Sequence, residues 1–135
     1  MTYYPLSIAP MMQYTHRHGR YLLRLCHSKA LLYTEMLSIQ TLEHRDPKAL
    51  LAYHPNEAPL ALQLGGSDPA LLSKYSQMAE TLGYAEVNLN VGCPSTKVQN
   101  GGIGACLFKT PKIVARCVAA MQKHVNIPIT VKTRL

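Results

Sequence analysis

Short apolar runs alternate with longer amphipathic ones along the chain. Leu6 to Ala9 (LSIA), Ala30 to Glu35 (ALLYTE), Leu60 to Leu64 (LALQL), Glu86 to Val91 (EVNLNV) and Ile127 to Lys132 (IPITVK) each have the length and the residue types of a β-strand. Between them lie segments with helical period. The clearest opens with Asp68-Pro69, places Leu71, Leu72, Tyr75, Met78, Ala79 and Leu82 along one face, and closes on Gly83. Asp caps the free N–H groups, Pro takes the first helical position and Gly accepts the left-handed exit, so the boundary signals agree. A second helix is predicted from Thr110-Pro111, with Ile113, Val114, Cys117, Val118, Met121 and Val125 on one face. A third runs from about Thr15 to Ser28 with Tyr21, Leu22 and Leu25 facing inward, and Gly19 weakens it by ~1 kcal/mol relative to Ala.

Strands alternating with helices, and strand runs apolar enough to be buried on both faces, predict an α/β fold with a parallel sheet and right-handed crossovers. Two architectures compete. A doubly wound sheet calls for a glycine-rich phosphate turn after its first strand, but that turn reads Ala9-Pro10-Met11-Met12. The alternative is the (β/α)8 barrel, which carries its chemistry at the C-terminal ends of the strands. The chain has 135 residues, room for one domain, with 47% apolar and 16% charged residues. It contains no apolar run of membrane-helix length and no low-complexity tract. A formal charge of +7 favours a polyanionic partner. Cys26, Cys93, Cys106 and Cys117 form no C-x-x-C pair and follow no secretory signal, which fits a reducing cytoplasm.

The chemistry-bearing side chains sit at predicted strand ends. After the fourth strand comes Asn88-Leu89-Asn90-Val91-Gly92-Cys93-Pro94-Ser95. The Cys93 thiol, held between a glycine and a proline at the barrel mouth, is placed to act as a nucleophile or as a general acid. The plainer reading of such a cysteine is a small buried hydrophobe, and Cys26 and Cys117, in amphipathic helical runs, keep that reading. Gln63 ends the third strand and Lys132 the fifth, bringing a carboxamide and an ammonium to the same mouth. That pair suits a flat polar heteroaromatic on whose ring negative charge develops. Taken singly, each is equally a strand-end hydrogen bond or a surface cation. His16, Arg17, His18, Arg20, Arg24 and Lys29 cluster around the first helix, a pattern that most often marks a solvated face. His16-x-His18 has no further ligands at useful spacing, so no metal site is expected.

The stretches APMMQYTHRHGRY (Ala9 to Tyr21), LLYTEM (Leu31 to Met36), ALQLGGSDP (Ala61 to Pro69), EVNLNVGCPSTKVQNGGIGACL (Glu86 to Leu107) and IPITVKTRL (Ile127 to Leu135) carry a family resemblance. In this order they resemble the tRNA-dihydrouridine synthases, and among them the A-type subgroup that acts on the D-loop. The resemblance implies an FMN-binding TIM barrel that uses NADPH to reduce the C5=C6 bond of uridine in tRNA. It implies that Pro10, Met11 and Met12 contact the isoalloxazine, that Gln63 bonds its pyrimidine edge and that Lys132 lies near its electron-rich end. Cys93 would be the general acid that protonates C5. Asn90 would meet flavin or uridine, and Lys97, with Lys109 and Lys112, would meet RNA phosphate. A uridine in folded RNA would have to be extruded to reach such a pocket.

The chain departs from that pattern in three places. Gly102 and Ile103 stand where the subgroup usually has Arg and Phe, making the loop from Gly101 to Gly104 glycine-rich and more flexible. His16 stands where an acidic residue is usual. The sequence also ends after the fifth predicted strand, so an incomplete barrel is expected, covering 1–135 as the N-terminal part of the FMN-binding domain. Three strands, a catalytic-face histidine, the phosphate-binding loops and a helical RNA-binding domain would have no counterpart. Open edges after Ala9 and after Lys132 would then be covered by self-association or by a complementing C-terminal half. Two other functions fit parts of the pattern: a non-enzymatic remnant that binds RNA weakly, or another pyrimidine-reducing flavoprotein.

Overall fold

The fold is seen in a computed structural model that describes residues 4–96 and 101–134. Strand β1 is Ser7–Ile8, β2 Leu31–Tyr33, β3 Leu37–Ser38, β4 Leu60–Gly65, β5 Glu86–Asn90 and β6 Ile129–Lys132. Helix α1 spans Arg17–Cys26, α2 Ile39–His44, α3 Pro47–Leu51, α4 Pro69–Thr81 and α5 Pro111–Gln122, with 3-10 turns at Pro55–Glu57 and Gly104–Lys109. All strand pairings are parallel, in the spatial order β1-β2-β4-β5-β6, and β3 continues alongside β4 beyond β2. The spatial order follows the chain order. A doubly wound sheet would reverse direction at a switch point, and this one does not, so the fold is α/β, a parallel half-barrel consistent with part of a TIM barrel.

Strand alternation divides this sheet into two unlike faces. Leu62 lies beside Val87 and Leu64 beside Leu89 on the helix-facing side. There they meet Leu72, Tyr75 and Ala79 of α4 and Cys117 and Met121 of α5 in one buried cluster. Each fully buried Leu in this layer contributes about 1.5–3 kcal/mol by leaving water. On the opposite face, which would be the barrel interior, the same register sets Gln63 beside Asn88, Asn88 beside Thr130 and Asn90 beside Lys132. That face is polar, and its Gln63, Asn88 and Asn90 are buried while Lys132 is exposed at the rim. The expectation of apolar strands on both sides therefore holds only for the helix-facing side.

Helix α4 starts and stops where its capping residues predict. Asp68 accepts from the N–H groups of Ala70 and Leu71 at 2.8 and 3.1 Å, and Gly83 has φ +85°. Helix α5 begins at Pro111, although Thr110 makes no side-chain cap, and it ends before Val125. Helix α1 differs more. Tyr21, Leu22 and Leu25 are 44, 62 and 70% exposed, not inward, whereas Arg20 is the buried residue of that helix. The physical reason is an ion pair: Arg20 Nη2 lies 2.6 Å from Glu57 Oε2, and Nη1 donates to the Thr15 carbonyl. With the Arg20 side of α1 turned inward, Tyr21, Leu22 and Leu25 are left facing solvent. Cys26, expected as a buried hydrophobe, is exposed for the same reason, while Cys117 is buried. At the opposite edge, an apolar groove runs past Phe108, Val114, Val118 and Val131. Both sheet edges thus carry exposed apolar surface.

Candidate active site

The site lies at the C-terminal ends of the strands, in a cavity of about 710 Å³. Its walls bring together Pro10, Met11 and Met12 after β1, Gln63 of β4, Asn90 and Cys93 at the end of β5, and Lys132 of β6. Their sequence separation reflects the topology, since each parallel strand returns the chain to the same rim. Met11 and Met12 are half exposed and form an apolar wall, whereas Gln63 is 1% exposed and fixed from several sides. Lys97 lies outside the described residues. Lys109 and Lys112 are exposed at the end of the second 3-10 turn and the start of α5.

Asn90 ties the cysteine loop to the sheet. Its Oδ1 accepts from the backbone N–H of Gly92 at 3.2 Å and of Cys93 at 3.0 Å, which sets the Cys93 backbone at the rim. Its Nδ2 donates to Gln63 Oε1 at 3.0 Å. Gln63 Nε2 in turn donates to Asn88 Oδ1 at 2.7 Å. An amide nitrogen carries two hydrogens and an amide oxygen two lone pairs, so Gln63 keeps one of each and Asn90 keeps one hydrogen for a ligand. Arg134 closes the loop from above, where its Nε donates to the Gly92 carbonyl at 2.6 Å. The Cys93 carbonyl accepts from the Ala105 N–H at 2.9 Å, anchoring the glycine-rich loop. Gly102 and Gly104 adopt positive φ, and Ile103 between them is buried in the cavity wall.

Several contributors escape the sequence analysis. Arg134 follows Lys132 by two residues, and strand periodicity would have put both on one face. Glu86, Asn88 and Asn90 share that periodicity: the polar residues of EVNLNV alternate with the apolar ones, which marks a polar interior face. Met36, just before β3, Ser38 of β3 and Thr41 of α2 enter the cavity from a short stretch with no strong periodic signal. Deeper down, Tyr33 donates to Glu86 Oε1 at 2.6 Å, and burial together with this carboxylate raises the Tyr33 pKa well above its ordinary value. The phenol remains a donor.

Half of the basic cluster is absorbed by the fold, while Arg17, His18 and Lys29 are exposed. His16 Nδ1 accepts from the Gly19 N–H and caps α1, Arg20 pairs with Glu57, and Arg24 donates to the carbonyls of His27, Ser28, Glu57 and Pro59. Among the described residues no group of three or more His, Cys, Asp or Glu could hold a metal ion, and no helix is long and apolar enough to cross a membrane.

Residues 7–135 match the family model described as dihydrouridine synthase. The chain is 55% identical over 131 residues to the tRNA-dihydrouridine(20/20a) synthase of Synechocystis sp., covering 97% of this chain and 39% of that protein. It is 54% identical over 130 residues to the enzyme of the same name from Vibrio parahaemolyticus, covering 96% of this chain and 40% of the relative. For the Pseudomonas syringae pv. tomato enzyme the identity is 55% over 129 residues, covering 96% and 38%. The chain spans about two-fifths of the length of these curated relatives. On the family match and these identities, the chain belongs to the dihydrouridine synthase family.

Proposed function

We propose that this chain forms the ring-binding half of an FMN-dependent tRNA-dihydrouridine synthase, and that residues 1–135 are the N-terminal part of its barrel domain. One observation carries the reading: Pro10, Met11, Met12, Gln63, Asn90, Cys93 and Lys132 line one cavity. The donor set suits a flavin. The methionine wall offers an apolar surface to a flat ring, and Gln63 offers an unused donor and acceptor to a pyrimidine edge. The exposed Lys132 ammonium supplies positive charge beside an electron-rich ring.

When bound, FMN reduced by NADPH supplies hydride for C6 of a uridine in the tRNA D-loop. The residues of this chain do the remainder. Cys93, whose backbone is held at the rim by Asn90, carries the proton for C5 on its thiol. Asn90 holds the Cys93 backbone in place and presents its spare N–H to the flavin or the uridine. Lys132 stabilises negative charge as electrons arrive. Lys97, Lys109 and Lys112 contribute phosphate contacts of the kind that position RNA by its backbone. The reading places the protein in the cytoplasm, where its thiols remain reduced. It also assigns the exposed apolar edges at α1 and β6 to a complementing C-terminal half or to another copy of the chain.

Titrating the chain with FMN and following flavin fluorescence tests the cofactor, and scoring dihydrouridine in unmodified tRNA with NADPH tests the reaction. The proposal expects saturable FMN binding by the wild type, impaired or no dihydrouridine formation by the chain alone, and formation, restored by a complementing C-terminal half, that Cys93→Ala abolishes while FMN binding persists. Reduction of free uracil or orotate in preference to tRNA would instead favour another pyrimidine-reducing flavoprotein. Binding of RNA without flavin would favour a non-enzymatic remnant.

A further inference from the structure

A single-file chain of hydrogen bonds runs through the buried polar face, from the cysteine loop to the floor of the half-barrel. The N–H groups of Gly92 and Cys93 donate to Asn90 Oδ1, and Asn90 Nδ2 donates to Gln63 Oε1. Gln63 Nε2 donates to Asn88 Oδ1, Asn88 Nδ2 to Thr130 Oγ1 at 2.7 Å, and Thr130 Oγ1 to Glu86 Oε1. Every link points the same way. Gln63, Asn88, Asn90 and Glu86 are each at most 8% exposed, and Thr130 between Asn88 and Glu86 is half-buried.

The two ends dictate that direction. A backbone N–H can only donate, and a carboxylate can only accept. Between them stand a hydroxyl and three carboxamides, groups that both donate and accept and could face either way. Because Thr130 must give its hydrogen to Glu86, its oxygen is left to accept, and Asn88 must turn its NH2 group toward it. That choice points Asn88 Oδ1 at Gln63, and so leaves Gln63 Oε1 facing Asn90. The carboxylate thereby orients each amide in the same sense as the backbone N–H groups do from the rim, and aligned bonds in a buried chain strengthen one another.

We propose that Glu86 is a positioning residue for the candidate site. Its carboxylate fixes, through Thr130 and Asn88, which ends of the Gln63 and Asn90 carboxamides face the cavity, and so the donor and acceptor pattern offered to a bound heteroaromatic ring. The link to a flavin rests on the function proposed above; the polarity of the chain does not.

Thr130 is the link to cut. Thr130→Val keeps the shape and the β-branch but removes the hydroxyl, whereas Thr130→Ser keeps the hydroxyl and loses a methyl. A space-filling role would be rescued by Val, and a relaying role by Ser. Side-chain amide hydrogen exchange of Gln63 and Asn90, measured by NMR on the 15N-labelled chain, reads the relay without any cofactor. The expected result is faster exchange at both amides by about tenfold in Thr130→Val and little change in Thr130→Ser, as for loss of one buried hydrogen bond. Glu86→Gln, whose amide can donate as well as accept, is expected to resemble Thr130→Val and serves should the latter fail to fold. FMN titration of the same variants should show weaker binding in Thr130→Val than in Thr130→Ser. Equal exchange in Val and wild type, or equal damage in Ser and Val, would overturn the proposal. If the wild type binds no FMN while the exchange pattern holds, the flavin reading fails and the positioning role stands.

Discussion

Arg20 and Glu57 form a buried ion pair, with Nη2 and Oε2 2.6 Å apart and side-chain exposures of 8 and 1%. Arg20 Nε reaches the same oxygen at 2.6 Å, and Glu57 Oε1 accepts the His54 N–H at 2.8 Å, so the carboxylate is bonded on both sides. Removing one partner strands the other charge in the interior. Arg20→Met or Glu57→Leu should each destabilise the chain by about 3–5 kcal/mol, and the double variant by less than the sum of the two. Urea unfolding of the four proteins checks the coupling; additive losses would rule it out.

Gly19 reverses an expectation from helix propensity. In an isolated helix Gly19→Ala would stabilise by ~1 kcal/mol. In the fold, a Cβ at this position would lie 2.0 Å from the Tyr14 carbonyl oxygen. Gly19→Ala should therefore destabilise, by about 1–3 kcal/mol as for overpacking elsewhere. A thermal melt decides between the two signs.

Asn90 is expected to control the exposure of the thiol. In Asn90→Ala the N–H groups of Gly92 and Cys93 lose their acceptor, a loss of about 1–3 kcal/mol for buried donors. Iodoacetamide should then label Cys93 faster than in the wild type, while labelling of the exposed Cys26 stays unchanged. Peptide mass mapping separates the two sites.

Alkaline pH should weaken the fold through its tyrosines. Burial raises the pKa of Tyr33 and Tyr84 above the ordinary 10.0, Tyr33 further through its bond to Glu86. The native state then holds these phenolic protons more tightly than the unfolded chain does. This stabilising contribution is complete below pH 10 and is lost as the pH climbs toward the folded-state values. Tyr33→Phe should flatten part of that dependence, which urea midpoints at rising pH would show.

The apolar face of α1 is expected to drive association. With Leu22 and Leu25 62 and 70% exposed, the chain should associate as its concentration rises. Leu22→Glu combined with Leu25→Lys should shift sedimentation toward the monomer without lowering the melting temperature. An unchanged distribution would place the contact elsewhere.

Elements with strong local signals were legible before any fold was known. The Asp68-Pro69 start and Gly83 exit of α4 are decided by groups a few residues apart, and strand runs by composition, so neighbouring residues suffice. The rim position of Gln63, Asn90, Cys93 and Lys132 also follows from the sequence, because parallel strands all end at the same mouth. Sequence by itself thus determined the order of the longer strands and helices, though not β3, α2 or α3, together with the family and the cavity residues Pro10, Met11, Met12, Gln63, Asn90, Cys93 and Lys132. Only the tertiary structure decided which side of α1 faces inward, because Arg20 meets a carboxylate from a turn remote in the chain, and that ion pair outweighs the helix's own apolar periodicity. It likewise decided that Asn88 and Thr130 join Glu86 to the rim: a hydrogen-bonded chain across three strands depends on their register, which no single strand encodes.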